Sequence, residues 1–323
     1  MARLSVDLAG LELSSPILSA SGTFGHGLEM QHFVGPRSIG AWVSKTVTRR
    51  PRPGNPMPRI AETEAGFLNS IGLENRGVES YVERTLPELE SSGAVVVTNI
   101  GGESVEDFAR IAATLDGRSE IHAFEVNLSC PNVDGGKLPF STVPEVTETV
   151  VRAVREATGK PLFAKLSPNV TRIDEIASAA EAGGADGVTA VNTVLGMGVD
   201  WRTRRPALAT VMGGYSGTAI KPIALRCAYE CARAVSIPVI GCGGIGSAED
   251  VLEFLVVGCT AVQVGTANFS DPALLAGLVG AVDGLLDGAG VSDVNEIIGT
   301  IGAAPATRPA SAGACVEAEG QAR

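Results

Sequence analysis

The chain has 323 residues, an apolar fraction of 45%, only 4% aromatics and 40 glycines, which excludes a disordered polymer and fits a packed domain with many tight turns. Its net charge of −11 comes without a basic stripe, so nucleic acid is not an expected partner. No apolar run is long enough to span a membrane, and the opening MARLSVDLAG has no signal-peptide core, so a cytoplasmic protein without membrane contact is expected.

Taken in chain order, LSVDLAGLELS (4–14) reads as a hairpin placed ahead of the main fold. Eight short apolar runs follow: SPILSAS (15–21), AWVSKT (41–46), AVVVTN (94–99), AFEVNLS (123–129), PLFAKLS (161–167), GVTAVNT (187–193), PVIGCGG (238–244) and AVQVGTA (261–267). Between most of them lie segments of helical period, such as VPEVTETVVRAVREATG and IDEIASAAEAGGADG. This alternation predicts an α/β fold, a closed (β/α)8 barrel rather than an open sheet. Residues 47–93, 130–143 and 194–222 are too long for simple turns and read as loops over the C-terminal mouth. The Ala/Pro/Ser/Gly-biased tail, 303–323, is expected to be disordered.

The six cysteines, Cys130, Cys227, Cys231, Cys242, Cys259 and Cys315, contain no C-x-x-C pair and read as free thiols. Cys227 and Cys231, four apart on a predicted helix, read as small core residues. His26, His32 and His122 are not at ligand spacing, so no metal site is expected.

The apolar runs finish at Ser21, Lys45–Thr46, Asn99, Asn127, Lys165, Asn192–Thr193, Gly243–Gly244 and Gly265–Thr266. In such a barrel these positions build the active site. The seventh run also spells G-x-G-x-x-G at Gly241, Gly243 and Gly246. A dinucleotide site needs an acidic residue about twenty positions on, closing the next strand, and AVQVGTANFS offers none. What remains is a phosphate cradle from the loops after strands 7 and 8, with Gly217 of GGYSG closing it. Ser247-x-x-Asp250 predicts a capping box on the following helix, whose positive end would also favour an anion.

The sharpest motif is NLSCPNV, Asn127 to Val133. Pro131 keeps the backbone after Cys130 out of a helix, and Asn127 and Asn132 flank the thiol with amides suited to a carbonyl/imide ring. With SPILSASGTFG, SKT, GFLNSIGLEN, AKLSPN, AVNT, GGYSG, GCGGI and VGTA in order around it, the chain resembles dihydroorotate dehydrogenase. The resemblance is to the catalytic subunit of the soluble, cysteine-type enzymes, and SGTFGHG and NVDGG look more like the NAD-linked heteromeric subclass than the fumarate-using homodimers.

The resemblance implies one FMN-binding barrel domain over 1–302 that oxidises (S)-dihydroorotate to orotate in pyrimidine (UMP) biosynthesis, with Cys130 as base. Ser21, Lys45, Thr46, Asn99, Asn127, Lys165 and Val191 would contact the flavin ring and ribityl chain. Gly217, Gly243, Gly244, Gly265 and Thr266 would enclose its phosphate. Substrate contacts would come from Lys45, Asn69, Ser70, Ile71, Gly72, Leu73, Asn127, Asn192 and Thr193, with Asn132 as a further contact. A partner subunit carrying FAD and a 2Fe–2S cluster would pass electrons to NAD, in a heterotetramer built on a homodimer of this chain. Competing expectations are a fumarate-using homodimer, a related dihydropyrimidine dehydrogenase, and a non-catalytic carrier of a flavin or phosphate ligand.

Overall fold

The computed structural model of the chain describes residues 1–129 and 140–302. Cys130 and Asn132, together with the tail expected to be disordered, lie outside the described residues. Each of the eight apolar runs contains a strand: β1 (Ile17–Ser19), β2 (Trp42–Val43), β3 (Val96–Ile100), β4 (Ala123–Asn127), β5 (Leu162–Lys165), β6 (Gly187–Ala190), β7 (Val239–Cys242) and β8 (Ala261–Val264). They pair in parallel in the order β1-β8-β7-β6-β5-β4-β3-β2.

The first and last strands of that order also meet. Leu18 bridges Ala41 in parallel, the Ser19 N–H donates to the Ala41 carbonyl at 3.2 Å, and the Gly40 N–H donates to the Ile17 carbonyl at 2.8 Å. The sheet is therefore a closed barrel, as the alternation of elements predicted. The N-terminal hairpin is present as Val6–Leu8 paired antiparallel with Leu11–Leu13. It buries Val6, Leu8 and Leu13 at the end of the barrel from which β1 starts.

Amphipathic helices cover the strands. Pro144–Arg155 buries Thr147, Val150, Val151 and Val154, spaced to form one stripe. Lys221–Ala234 buries Ala224, Cys227, Ala228 and Cys231, so both cysteines of that helix are core residues and free thiols. Only between β1 and β2 does a short 3-10 turn, Leu28–Met30, stand where a helix would be. Among the described residues no helix is long and apolar enough to cross a membrane.

Two of the connections read from sequence as loops are not irregular. Ile60–Thr63 and Gly66–Asn69 form a hairpin, and Val194–Met197 pairs with Met212–Ser216. Gly66–Asn69 then joins Met212–Ser216 across the two connections, giving one four-stranded antiparallel sheet. Strands this short, one of them carrying adjacent glycines (MGGYS), have too little alternation to be seen without their partners.

Gly241 of the G-x-G-x-x-G spelling lies inside β7, where an added Cβ would overlap the Phe254 ring and lie 3.0 Å from Cys259 Sγ. Its small size serves helix-to-strand packing rather than ligand approach. Gly241→Ala should therefore destabilise the fold by about 1–3 kcal/mol through overpacking, read as a lower urea midpoint. An unchanged midpoint would show that the Ala248–Val256 helix can back away without loss.

Candidate active site at the barrel rim

Parallel strands in one barrel all deliver their C-terminal ends to the same rim, so residues far apart in sequence are gathered there by topology alone. Side chains alternate along a strand, so Glu125 and Asn127 of β4 share the inward face. Glu125 sits one pair deeper than Asn127. The register places Asn99 beside Glu125, Asn127 beside Lys165, and Lys165 beside Thr189.

The deepest layer is polar and dry. Glu125 is 0% exposed and the Lys165 side chain 5%, with Lys165 Nζ 3.5 Å from Glu125 Oε1. Asn99 Nδ2 donates to Glu125 Oε1 at 2.7 Å, Thr189 Oγ1 to Oε2 at 2.9 Å, and Gln263 Nε2 also to Oε2. Lys165 Nζ donates to Gln263 Oε1 at 2.7 Å. Burial alone would depress the Lys165 ammonium, but the Glu125 carboxylate outweighs it and holds the group above its ordinary value. Cys242, beside Lys165, is pushed up by burial, with the Lys165 ammonium opposing the shift.

Of the residues expected here, Asn99 and Lys165 are in this layer. Asn127 lies nearer the rim, where its Oδ1 accepts from Asn192 Nδ2 and from the Ser129 N–H, both at 3.3 Å. Thr193 follows, its N–H held by Asn192 Oδ1 at 2.8 Å. Val191 is buried and donates to the Cys242 carbonyl. Thr46 is buried, while Ser21 and Lys45 are half-buried. Lys45 makes no ion pair among the described residues, and burial lowers its ammonium, with Glu74 opposing and Arg59 adding to the shift.

The segment Asn69 to Leu73 leaves the end of Gly66–Asn69, an inner strand of the antiparallel sheet. Asn69 donates to the Gly214 carbonyl at 3.3 Å, and Thr193 packs against the same glycine from the other side. Ser70 Oγ accepts from Asn55 at 2.8 Å, the Ile71 carbonyl accepts from the Asn55 N–H, and the Gly72 carbonyl accepts from Arg52. Gly72 and Leu73 both have positive φ, 74° and 56°. Asn75, which sequence reasoning passed over, pins the segment: its Oδ1 accepts from the Thr48 and Gly77 N–H groups, and its Nδ2 donates to Thr48 Oγ1 and the Leu73 carbonyl, each at 2.7 Å.

The glycines expected around a phosphate lie together. Gly243 and Gly244 have φ of 128° and 78°, and a Cβ on Gly244 would come within 2.6 Å of the Lys221 backbone. Gly217 opens the segment that leads to Lys221, and a Cβ there would lie 2.5 Å from Gly66 Cα. A Cβ on Gly265 would meet that of Ala20 at the end of β1. The amides of Gly243, Gly244 and Gly265 have no acceptor among the described residues, and Thr266 opens the next 3-10 turn.

The capping box Ser247–Asp250 is present, but with a consequence the sequence did not suggest. Asp250 Oδ2 already accepts the Gly246 and Ser247 N–H groups, and Asp250 is paired with Lys221 at 2.6 Å. This helix start is satisfied by its own side chains, so the bare amides are those of the preceding glycines. Such a cradle fits a phosphate group. The buried Asn99 Oδ1, which has no partner among the described residues, fits a ring N–H donor.

A family model described as dihydroorotate dehydrogenase matches residues 3–283. The chain belongs to the dihydroorotate dehydrogenase family. Within it, the chain is 47% identical over 298 residues to a protein of Geobacter metallireducens, covering 92% of this chain and 98% of that one. It is 48% identical over 299 residues to one of Geobacillus kaustophilus, covering 93% and 96%. Both are described as the catalytic subunit of dihydroorotate dehydrogenase B (NAD(+)). The crystal structure of an Eimeria tenella dihydroorotate dehydrogenase in complex with ferulenol superposes with a TM-score of 0.76 over 92% of this chain and 88% of that chain, at 21% identity, which carries the barrel fold.

Glu125, Thr189, Gln263 and Asn75 are site residues that the reading of rim positions missed. A carboxylate within an otherwise apolar run, two residues before Asn127, was the available signal for Glu125. Asn75→Ala removes the pin on the Asn69–Leu73 segment, so amide hydrogen exchange should speed up across residues 69–73 and leave the barrel strands unchanged. Equal exchange in the two proteins would show that the strand pairing of Gly66–Asn69 alone holds the segment.

Proposed function

We propose that the chain oxidises dihydroorotate to orotate in the cytoplasm with bound FMN, as the catalytic subunit of an NAD-linked enzyme. What carries this reading is the meeting, at one rim of a family member, of a buried cation, a row of amides and three glycine N–H groups with no acceptor among the described residues. FMN, when bound, supplies the acceptor for the hydride leaving carbon 6 of the substrate.

Gly217, Gly243, Gly244, Gly265 and Thr266 would hold the phosphate. Ser21, Lys45, Thr46, Asn99, Asn127, Lys165 and Val191 would hold the ring and ribityl chain. Lys165, cationic against Glu125, offsets negative charge at the flavin position without solvent reorganisation. Lys45, with no carboxylate partner among the described residues, favours an anionic substrate. Asn69, Ser70, Ile71, Gly72, Leu73, Asn127, Asn192 and Thr193, with Asn132, would orient the pyrimidine ring. Cys130 would take the proton from carbon 5, which requires the thiolate, about 3% of a free thiol at pH 7. The two electrons leave with the hydride.

The NAD step is assigned to a second subunit. The dinucleotide fingerprint of this chain resolves into a packing glycine and a phosphate cradle, and the similar proteins are described as catalytic subunits. We infer that the partner carries FAD and a 2Fe–2S cluster and docks on a homodimer of this chain.

The test is anaerobic addition of dihydroorotate to the full chain loaded with FMN. The visible flavin absorbance should bleach, and NAD should restore it only when the partner is present. Cys130→Ala should keep FMN and bind orotate while bleaching about 10²–10⁴-fold more slowly, the usual contribution of a general base. An unbleached wild-type flavin would sink the reading, and a Cys130→Ala variant as fast as wild type would remove the thiol from the chemistry.

A further inference from the structure

The geometry points to Glu125 as the positioning residue of this site: its carboxylate keeps Lys165 charged and in place, and sets which way the Asn99 and Gln263 amides face. The inference rests on the reading that this rim binds FMN. Glu125 is fully buried near the middle of the chain's most polar layer, and it touches no solvent. It is surrounded by Asn99 at 2.7 Å, Thr189 at 2.9 Å, Gln263, and the Lys165 ammonium at 3.5 Å.

An ionised carboxylate only accepts hydrogen bonds. Asn99 must therefore turn its NH2 toward Glu125, which leaves Asn99 Oδ1 as an acceptor with no partner among the described residues. Gln263 must likewise turn its NH2 toward Glu125, which aims its Oε1 at Lys165, 2.7 Å away. One ionised group thus fixes two amides and a cation. A glutamine at this position could not serve all of them, because its NH2 would face other donors.

The charge argument runs in parallel. Lys165 and Glu125 form a neutral pair in a dry interior, and removing one partner leaves the other buried without compensation. Among the described residues, the titratable groups facing Lys165 are Glu125 and Cys242. Burial drives the lysine toward its neutral form; Glu125 opposes it first, by charge and by hydrogen bond, and Cys242 adds to that opposition. Without Glu125, Lys165 would lose its proton as the pH rises through the neutral to alkaline range, and the flavin position would lose its cation.

Three full-length proteins test this: wild type, Glu125→Gln, and the double variant Glu125→Gln with Gln263→Glu. The double variant returns a carboxylate to the position already within hydrogen-bond distance of Lys165 Nζ. FMN affinity and the visible flavin spectrum are measured against pH, with the flavin midpoint potential as a third readout. Wild type should show no ionisation step that belongs to Lys165. Glu125→Gln should bind FMN about tenfold or more weakly, as expected for a buried charge partner removed, and show a new step toward alkaline pH. The double variant should lose that step and recover most of the affinity.

A Glu125→Gln protein with wild-type affinity and a flat profile overturns the inference. So does a double variant as perturbed as the single one, or a new step that disappears in a Cys242→Ser background and so belongs to the thiol. If Glu125→Gln alone does not fold, the double variant must fold and behave like wild type, and its failure counts against the inference. A wild-type chain that takes up no FMN would instead count against the proposed function. Normal FMN binding by wild type beside an unaffected Glu125→Gln removes only the role of Glu125.

Discussion

Closure of the barrel is the constraint on which the other features depend. Once Ser19 of β1 donates to Ala41 and Gly40, just before β2, donates back to Ile17 of β1, all eight parallel strands end on one rim, and no strand edge is left over. Polar residues that look like unremarkable strand ends along the chain become neighbours. Asn99, Asn127, Lys165, Asn192 and the glycines after β7 and β8 belong to six different strand–loop junctions and one rim. An open sheet with the same strands would spread them along an edge.

A closed barrel also has an interior that must be filled, and here part of the filling is charged. Burying a carboxylate and an ammonium costs far more than burying leucine unless each finds its full set of partners. The chain meets that demand with residues from five strands, Asn99, Glu125, Lys165, Thr189 and Gln263. The result is a rigid polar floor beneath the rim. It presents a fixed cation and a fixed amide carbonyl, with little freedom for either to relax toward water. For chemistry in which negative charge develops, such preorganisation is worth more than the same groups on a mobile loop.

The walls of the site come from elsewhere. Two long connections, one after β2 and one after β6, pair with each other into a four-stranded sheet. That pairing places Asn69 and Thr193 on either side of Gly214, although they lie more than a hundred residues apart in sequence. Asn75 ties the same segment back to Thr48. The expected substrate loop is therefore held at both ends, by an inner strand of that sheet and by a side-chain pin.

The sequence by itself determined the eight strands, the alternating helices, the N-terminal hairpin, the capping box and the identity of the rim residues. These are local signals: apolar runs of strand length, helical period, and polar residues where runs stop. The family followed from motifs in order along the chain. Tertiary structure alone decided what Glu125 does, since its partners Asn99, Thr189 and Gln263 lie 26, 64 and 138 positions away and no periodicity records such distances. It also decided that two loops are one sheet, because strand pairing is a property of register between segments rather than of either segment. And it decided which backbone amides remain bare among the described residues, because Asp250 folds back to occupy the helix start that the sequence offered to an anion.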